Sequence, residues 1–276
     1  VSVPLKPPFT YTGGKLSIAD LIVPLLPPHE HYVEAYAGSL ALLLAKPPSR
    51  METVNDLDGA IVAFWKILRD RPADLERACA LTPHSRAEYA AAEQAADDDL
   101  EQARRVWVKL TQGRTGTLRK TGWRYYINPA GSSSSMPRYL AGYVGRIAAA
   151  AERLAKVTLE CRPALEIIRD YGADPGCLLY CDPPYLGSTR RGAQYRHEML
   201  TEDEHRELLE SLLACHSAVV LSGYASPLYD DLLCTWFRRE ITTQTGNGGS
   251  DRVRTEVLWS NRPFPQGHLF DLDESA

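Results

Sequence analysis

The sequence predicts an α/β protein built on a largely parallel sheet and interrupted once by a long insertion. Three observations carry that reading. Leu178 to Cys181 is a short apolar run that stops at Asp182 before two prolines, the pattern of a buried strand with an abrupt end. His31 to Ala37 alternates, meets Gly38-Ser39, and continues into a helical pattern of Leu40, Leu42, Leu43 and Leu44; strand, small-residue turn and helix form the first unit of a nucleotide-binding sheet. Between Arg71 and about Leu154 this alternation lapses, and it resumes afterwards.

Composition sets the bounds. The 276 residues, 44% hydrophobic and 24% charged, suit one large domain with an insertion or two modest ones. No run approaches the roughly eighteen apolar residues of a membrane span, and Val1-Ser2-Val3-Pro4 lacks a signal-peptide pattern, so a cytoplasmic protein without a membrane partner is expected. The six cysteines are scattered without metal-ligand or disulfide spacing and read as buried thiols. A net charge of −4 argues against coating nucleic acid by bulk attraction. It leaves room for a DNA enzyme whose basic residues gather on one surface.

Taken in order, Pro8 to Lys15 contains a Gly13-Gly14 turn, and the pattern Ile18, Leu21, Ile22, Leu25 predicts a helix ending at Pro27-Pro28. Such a turn lets backbone amides approach a ligand and puts Lys15 near the helix N-terminus. His29-Glu30-His31 has no further ligand nearby and reads as solvated rather than metal-binding. Met51 to Val54 reads as the second strand. About twenty residues past the glycine turn, Asp56 at its end is placed to accept hydrogen bonds from ribose hydroxyls. Asp58 caps the next helix, Ala60 to Leu68.

Within the insertion, Arg86 to Leu110 is alanine-rich and helical, with Asp97-Asp98-Asp99 as a solvated face. Gln112 to Pro129 interleaves Arg114, Arg119, Lys120 and Arg124 with Trp123, Tyr125 and Tyr126 and has almost no acid. Those cations suit phosphates, and a few suit guanine edges. Gly131 to Ser135 is a serine run expected to order on a partner, and Tyr139 to Leu154 reads as one helix with an apolar face.

Val157 to Cys161 is a strand and Pro163 to Tyr171 a helix leading to the Asp182 strand. Pro183 and Pro184 remove two backbone donors and hold the chain extended, so the carbonyls of Asp182 and Pro183 stand as free acceptors beside the carboxylate. Tyr185 offers a flat face at the same mouth. An amino group on a planar ring fits such a set. Beyond it, Leu186 to Arg191 is polar and basic, with Arg190 and Arg191 suited to DNA phosphates. A capping box, Thr201 with Glu204, opens a helix to Cys215. His197 and His205 are given loop and helix roles. Ser217 to Tyr224 is a strand, and Trp236 to Thr245 and Thr255 to Ser260 form a closing hairpin around Gly246 to Ser250.

Asp182-Pro183-Pro184-Tyr185 resembles the signature of amino-group DNA methyltransferases, in a chain similar to the alpha-class, Dam-like and phage or restriction-type adenine N6-methyltransferases. Tyr11-Thr12-Gly13-Gly14-Lys15 resembles the family's aromatic-x-Gly-Gly-Lys, with Tyr11 where many members have tryptophan. Val33 to Ser39 resembles its Glu-Pro-Phe-Ala-Gly-Ser, with Ala35 for proline, and Asp58 departs from Asn-Asp-x-Asn. Leu221 to Tyr224 and Arg254 to Trp259 also look like phage-type stretches. The resemblance spans about Pro8 to Asn261, and the insertion is its weakest part.

The resemblance implies a Rossmann-like S-adenosyl-L-methionine-dependent sheet over 1–70 and 156–276, with a terminal β-hairpin, and a mainly helical target-recognition domain inserted at 71–155. It implies site-specific methylation of adenine N6 in double-stranded DNA after base flipping, with no metal. Asp182, Pro183, Pro184 and Tyr185 would be catalytic. Tyr11, Gly13, Gly14, Lys15, Glu34, Ala37, Gly38, Ser39, Asp56 and Asp182 would bind cofactor. Arg114, Arg119, Lys120, Arg124, Arg190 and Arg191 would meet DNA, and a cognate restriction enzyme is a candidate partner. Methylation of cytosine N4, RNA or protein glutamine stays open, although those relatives more often begin the tetrapeptide with Ser or Asn; so does a silent DNA- or cofactor-binding protein. Recognition sequence and oligomeric state are not legible.

Overall fold

A seven-stranded sheet in the order β3-β2-β1-β4-β5-β7-β6 organises the chain. It is described by a computed structural model covering residues 4–128, 134–187, 195–245 and 252–265. The strands are β1 (His31–Glu34), β2 (Met51–Asn55), β3 (Thr158–Glu160), β4 (Cys177–Cys181), β5 (Ala218–Gly223), β6 (Phe237–Thr245) and β7 (Arg252–Ser260). β1 to β5 run parallel, and β7 enters antiparallel between β5 and β6. The chain moves outward from β1 through β2 to β3 and then returns to the other side of β1 at β4. That reversal between β1 and β4 opens a crevice at the strands' carboxyl ends, where open α/β sheets take ligands. All of β4 is buried, as a central parallel strand requires.

The helices are α1 (Ala19–Ile22), α2 (Ala41–Ala45), α3 (Gly59–Asp70), α4 (Pro72–Ala80), α5 (Arg86–Ala91), α6 (Asp99–Gln112), α7 (Met136–Val144), α8 (Ile147–Leu154), α9 (Ala164–Gly172), α10 (Glu202–Leu213) and α11 (Pro227–Leu232). On one side of the sheet Phe64 and Trp65 of α3 share a core with Trp107 and Leu110 of α6 and Ile147 of α8. On the other, Ile167 and Ile168 of α9 and Leu208 and Leu209 of α10 pack on Leu179, Val219 and Trp259. No described helix is long and apolar enough to cross a membrane.

Several expectations change in detail. The first helix is short because Pro24 cannot continue the ladder, and Val23–Leu25 tightens to a 3-10 turn. The alanine-rich stretch divides into α5 and α6; Asp97, Asp98 and Asp99 are exposed, as expected, and Asp98 also caps α6 by accepting from the Glu101 amide. The apolar pattern from Tyr139 to Leu154 runs through a break at Gly145-Arg146, giving α7 and α8. His29 and His31 are hydrogen-bonded, to the Pro27 carbonyl and Ser49 and to Thr53, rather than solvated. Cys161 and Cys234 are exposed. Asp58 caps α3, and Thr201 with Glu204 forms the expected capping box. Most of the Gly131 to Ser135 run, the Gly246 to Ser250 turn, and Arg190 and Arg191 lie outside the described residues.

Candidate active site

The crevice begins with backbone. Gly38 follows β1 at φ +45°, and a Cβ there would stand 3.1 Å from the Tyr11 ring. Only glycine combines that conformation with that approach. Asp56, at the end of β2, braces the turn: one carboxylate oxygen accepts from the Gly38 amide at 2.8 Å, the other from the Asp58 amide at 2.9 Å. Burial raises its pKa, and these two bonds oppose the rise. Each oxygen keeps a lone pair for a further donor.

Glu34 closes β1 from within. Its Oε1 accepts from the Tyr32 hydroxyl and the Leu43 amide, both at 2.8 Å, tying α2 to the strand. Burial pushes this carboxyl up to about 7 against those bonds. Together Tyr11, Gly13, Gly14, Glu34, Ala37, Gly38, Ser39 and Asp56 line one cavity of about 320 Å³, with Ala164 and Leu165 of α9 as an apolar wall. The sequence brought these residues forward as one set, and the fold gathers them. The loop that carries His197 also lines this cavity: the Tyr195 hydroxyl stands 2.0 Å from where a Cβ on Gly13 would be, and Arg196 bonds Asp58 at 3.1 Å.

Asp182 lies immediately beyond β4, and Lys15 reaches it from the opposite side of the crevice. The ammonium donates to both carboxylate oxygens, at 2.7 and 2.6 Å, to the Tyr185 hydroxyl at 2.6 Å and to the Gly13 carbonyl at 3.1 Å. The hydroxyl of Tyr185 is therefore turned inward, and its ring meets the edge of Tyr224 at 4.5 Å. It donates in turn to Glu256 Oε1 at 2.6 Å, which also accepts from Ser222 at 2.5 Å. Lys15 stands 3.5 Å from the same Glu256 oxygen. Burial raises Asp182 to about 6; Lys15 pulls it down and Glu256 pushes it back up. Burial alone would lower Lys15, but the two carboxylates outweigh it and hold its pKa above the ordinary value.

Sequence reading missed Glu256 and Ser222. Both were quoted within stretches of the hairpin and its neighbour, but an alternating strand gives a glutamate no mark of burial, and only the β5–β7 pairing brings it to Tyr185.

The insertion touches the same crevice from outside. Thr12 donates to the Gly116 carbonyl at 2.6 Å, Thr10 to the Leu110 carbonyl at 3.0 Å, and Trp107 to the Pro8 carbonyl at 3.0 Å. These bonds fix the loop that carries Tyr11. Beyond it Arg114, Arg119 and Lys120 are exposed. Arg124 is half-buried, 5.9 Å from the Tyr139 ring. Trp123 stacks with His84 and with Tyr125, and the Arg86 guanidinium lies over both indole and phenol. Ile127 is 85% exposed.

The model of the D12 class N6 adenine-specific DNA methyltransferases matches residues 11–241. No curated protein matches the chain. Solved structures that it resembles include a precorrin 8W decarboxylase from Methanobacterium thermoautotrophicum, at 9% identity and TM-score 0.39, over 93% of this chain and 97% of that one. A SAM-dependent methyltransferase from Agrobacterium tumefaciens follows at 12% and 0.37, covering 89% and 59%. The rRNA methyltransferase AviRa from Streptomyces viridochromogenes matches at 12% and 0.34, covering 89% and 84%.

Proposed function

The chain belongs to the D12 class N6 adenine-specific DNA methyltransferase family, and from that premise we propose how its residues carry the reaction. The enzyme transfers a methyl group from S-adenosyl-L-methionine to adenine N6 in DNA. The observation that supports the residue assignment is the meeting of Asp182, Lys15 and Tyr185 at the mouth of the cavity between β1 and β4.

The cavity suits the cofactor on chemical grounds. Asp56 retains lone pairs for ribose hydroxyls, Ala164 and Leu165 offer an apolar wall for a purine, and Gly38 and Tyr11 leave no room for a side chain between backbone and ring. Tyr11, Gly13, Gly14, Glu34, Ala37, Gly38, Ser39 and Asp56 hold it, with Asp182 and Lys15 at the reacting end. Bound there, the cofactor supplies an electrophilic sulfonium methyl.

Adenine N6 is a weak nucleophile because its lone pair is delocalised into the ring. The Asp182 carboxylate and the Pro183 carbonyl would accept hydrogen bonds from its two N–H groups, orienting the nitrogen and favouring a more tetrahedral geometry; as the N–CH3 bond forms, the S–CH3 bond breaks to leave a neutral thioether, and the one proton the nitrogen sheds passes by way of Asp182 toward solvent. Pro183 and Pro184 hold the chain extended and bring no backbone N–H of their own to these acceptors; in the absence of substrate the carboxylate is held by Lys15. Positioning supplies much of the acceleration, so a strong base is unnecessary. A duplex hides N6, and the adenine must leave the stack at a cost of a few kcal/mol; stacking on Tyr185 returns part of that cost. The insertion, 71–155, reads the target, with Arg114, Arg119, Lys120 and Arg124, joined by Arg190 and Arg191, on phosphates and base edges. On the same reading the enzyme acts in a prokaryotic or phage-infected cytoplasm, and a cognate restriction enzyme is its natural counterpart.

The test is incubation with unmethylated bacterial genomic DNA and labelled cofactor beside an Asp182→Ala control, followed by mapping of modified bases. N6-methyladenine at a recurring site, absent with the variant, is the expected result. Cofactor binding without any modified base would overturn it.

A further inference from the structure

Glu256 lies outside the Asp-Pro-Pro-Tyr loop, the glycine turns and the insertion, yet it is buried at the reacting end of the crevice. It is 7% exposed on β7, a strand whose neighbouring residues Val257, Leu258 and Trp259 are core. A carboxylate in such a place needs partners. It has two hydroxyl donors, Tyr185 and Ser222, and a cation at 3.5 Å, Lys15. The direction of these bonds is fixed by their donors. Lys15 has no acceptor lone pair and can only donate. The Tyr185 oxygen accepts from it and passes its own proton toward Glu256.

Donor counting then exposes a conflict that Glu256 resolves. Lys15 has three protons, which go to the Gly13 carbonyl, the Tyr185 hydroxyl and the two oxygens of Asp182. The acceptor that an adenine amino group needs is thus covered by the ammonium. Releasing it leaves a buried cation short of a carboxylate, unless a second one is within reach. Glu256 Oε1 is that group, 3.5 Å away and itself buried.

We propose that Glu256 is a positioning residue for methyl transfer: it anchors Tyr185 by its hydroxyl and receives the Lys15 ammonium when a substrate amino group takes over Asp182. The inference rests on the adenine-methylation reading above. The movement is a change of partner with no covalent step, and net charge within the cluster stays constant. The groups that face this cluster are Lys15 from the first loop, Glu34 from β1, Tyr180 and Asp182 from β4 and its end, and Tyr185 beyond it. Glu256 is among those that raise the Asp182 pKa toward about 6.

Glu256→Gln keeps an oxygen for Tyr185 and Ser222 but removes the charge. With one carboxylate left, Lys15 grips Asp182 more firmly, so kcat should fall about 10- to 100-fold at the plateau while KM for S-adenosyl-L-methionine stays within twofold. Without the Glu256 charge Asp182 ionises more readily, so the acid limb of kcat should move to lower pH. A lowered plateau with an acid limb displaced downward is a combination that loss of packing does not produce. Glu256→Asp, which keeps the charge, should recover part of kcat and leave the limb near its wild-type position. Ser222→Ala loosens Glu256 without touching Lys15, Asp182 or Tyr185; a severalfold loss of kcat is expected, and this variant carries the test if Glu256→Gln does not fold. Wild-type kcat and an unmoved acid limb in the folded variant, or a change in KM alone, overturns the inference. A wild-type enzyme that makes no N6-methyladenine in the same assay would instead remove the reading beneath it.

Discussion

The crevice around Asp182 and the basic segment at 113–128 are separated only by the loop at residues 8–12, yet they use polar residues in opposite ways. In the crevice Lys15, Asp182, Tyr185 and Glu256 are withdrawn from water, and each is held by at least two partners. In the segment Arg114, Arg119 and Lys120 reach into solvent on a backbone held at few points, among them the Gly113–Trp123 bridge and the Thr12–Gly116 bond. Chemistry calls for preorganised groups whose field is strong because water is excluded. Recognition of a polyanion calls for cations that keep their hydration until phosphates arrive. The shared anchor, the extended segment 8–12, lets one stretch of chain serve both.

This contrast predicts a graded set of losses. Lys15→Met should have the largest effect on the fold, since it leaves two buried carboxylates without their cation. Chemical denaturation at neutral pH is expected to report about 3–5 kcal/mol of destabilisation, shrinking at acid pH as the carboxylates take up protons. Gly38→Ala forces a Cβ against the Tyr11 ring at a positive φ. It should cost roughly 1–3 kcal/mol and, by calorimetric titration, weaken cofactor affinity at least tenfold while DNA affinity is kept. Arg119→Ala and Lys120→Ala should be smallest in stability. Each is expected to lower the slope of log affinity against log salt by about one without changing kcat at saturating DNA. Loss of cofactor affinity in these surface variants would break the division between the two regions; Arg119 lies 3.9 Å from Glu198, which lines the cavity, so the measurement is a sharp one.

The sequence made the strand ends legible because local chemistry marks them. Two prolines stop β4, a glycine–serine turn ends β1, and an acidic residue follows β2; each signal lies within a few residues of the position it controls. The capping of α3 by Asp58 and of α10 by Thr201 was readable for the same reason. What stayed hidden depends on contacts distant in sequence. Glu256 becomes a crevice residue only when β7 inserts antiparallel beside β5. The division of the 139–154 helix was masked because apolar spacing continues across Gly145-Arg146 and both pieces bury the same side. Tyr195 is aromatic in a polar stretch, and nothing local says that it will lie on Gly13.

The central claim is that Asp182, beyond its place at the reacting end of the cofactor site, acts chiefly on the amino group, and single-turnover methyl transfer by Asp182→Ala tests it most directly. With enzyme, cofactor and duplex preassembled at saturating concentrations, the account predicts a rate lowered by about 10²- to 10³-fold, with cofactor and DNA affinities within a few-fold of wild type. A single-turnover rate close to wild type, or a loss that saturating cofactor restores, would contradict it.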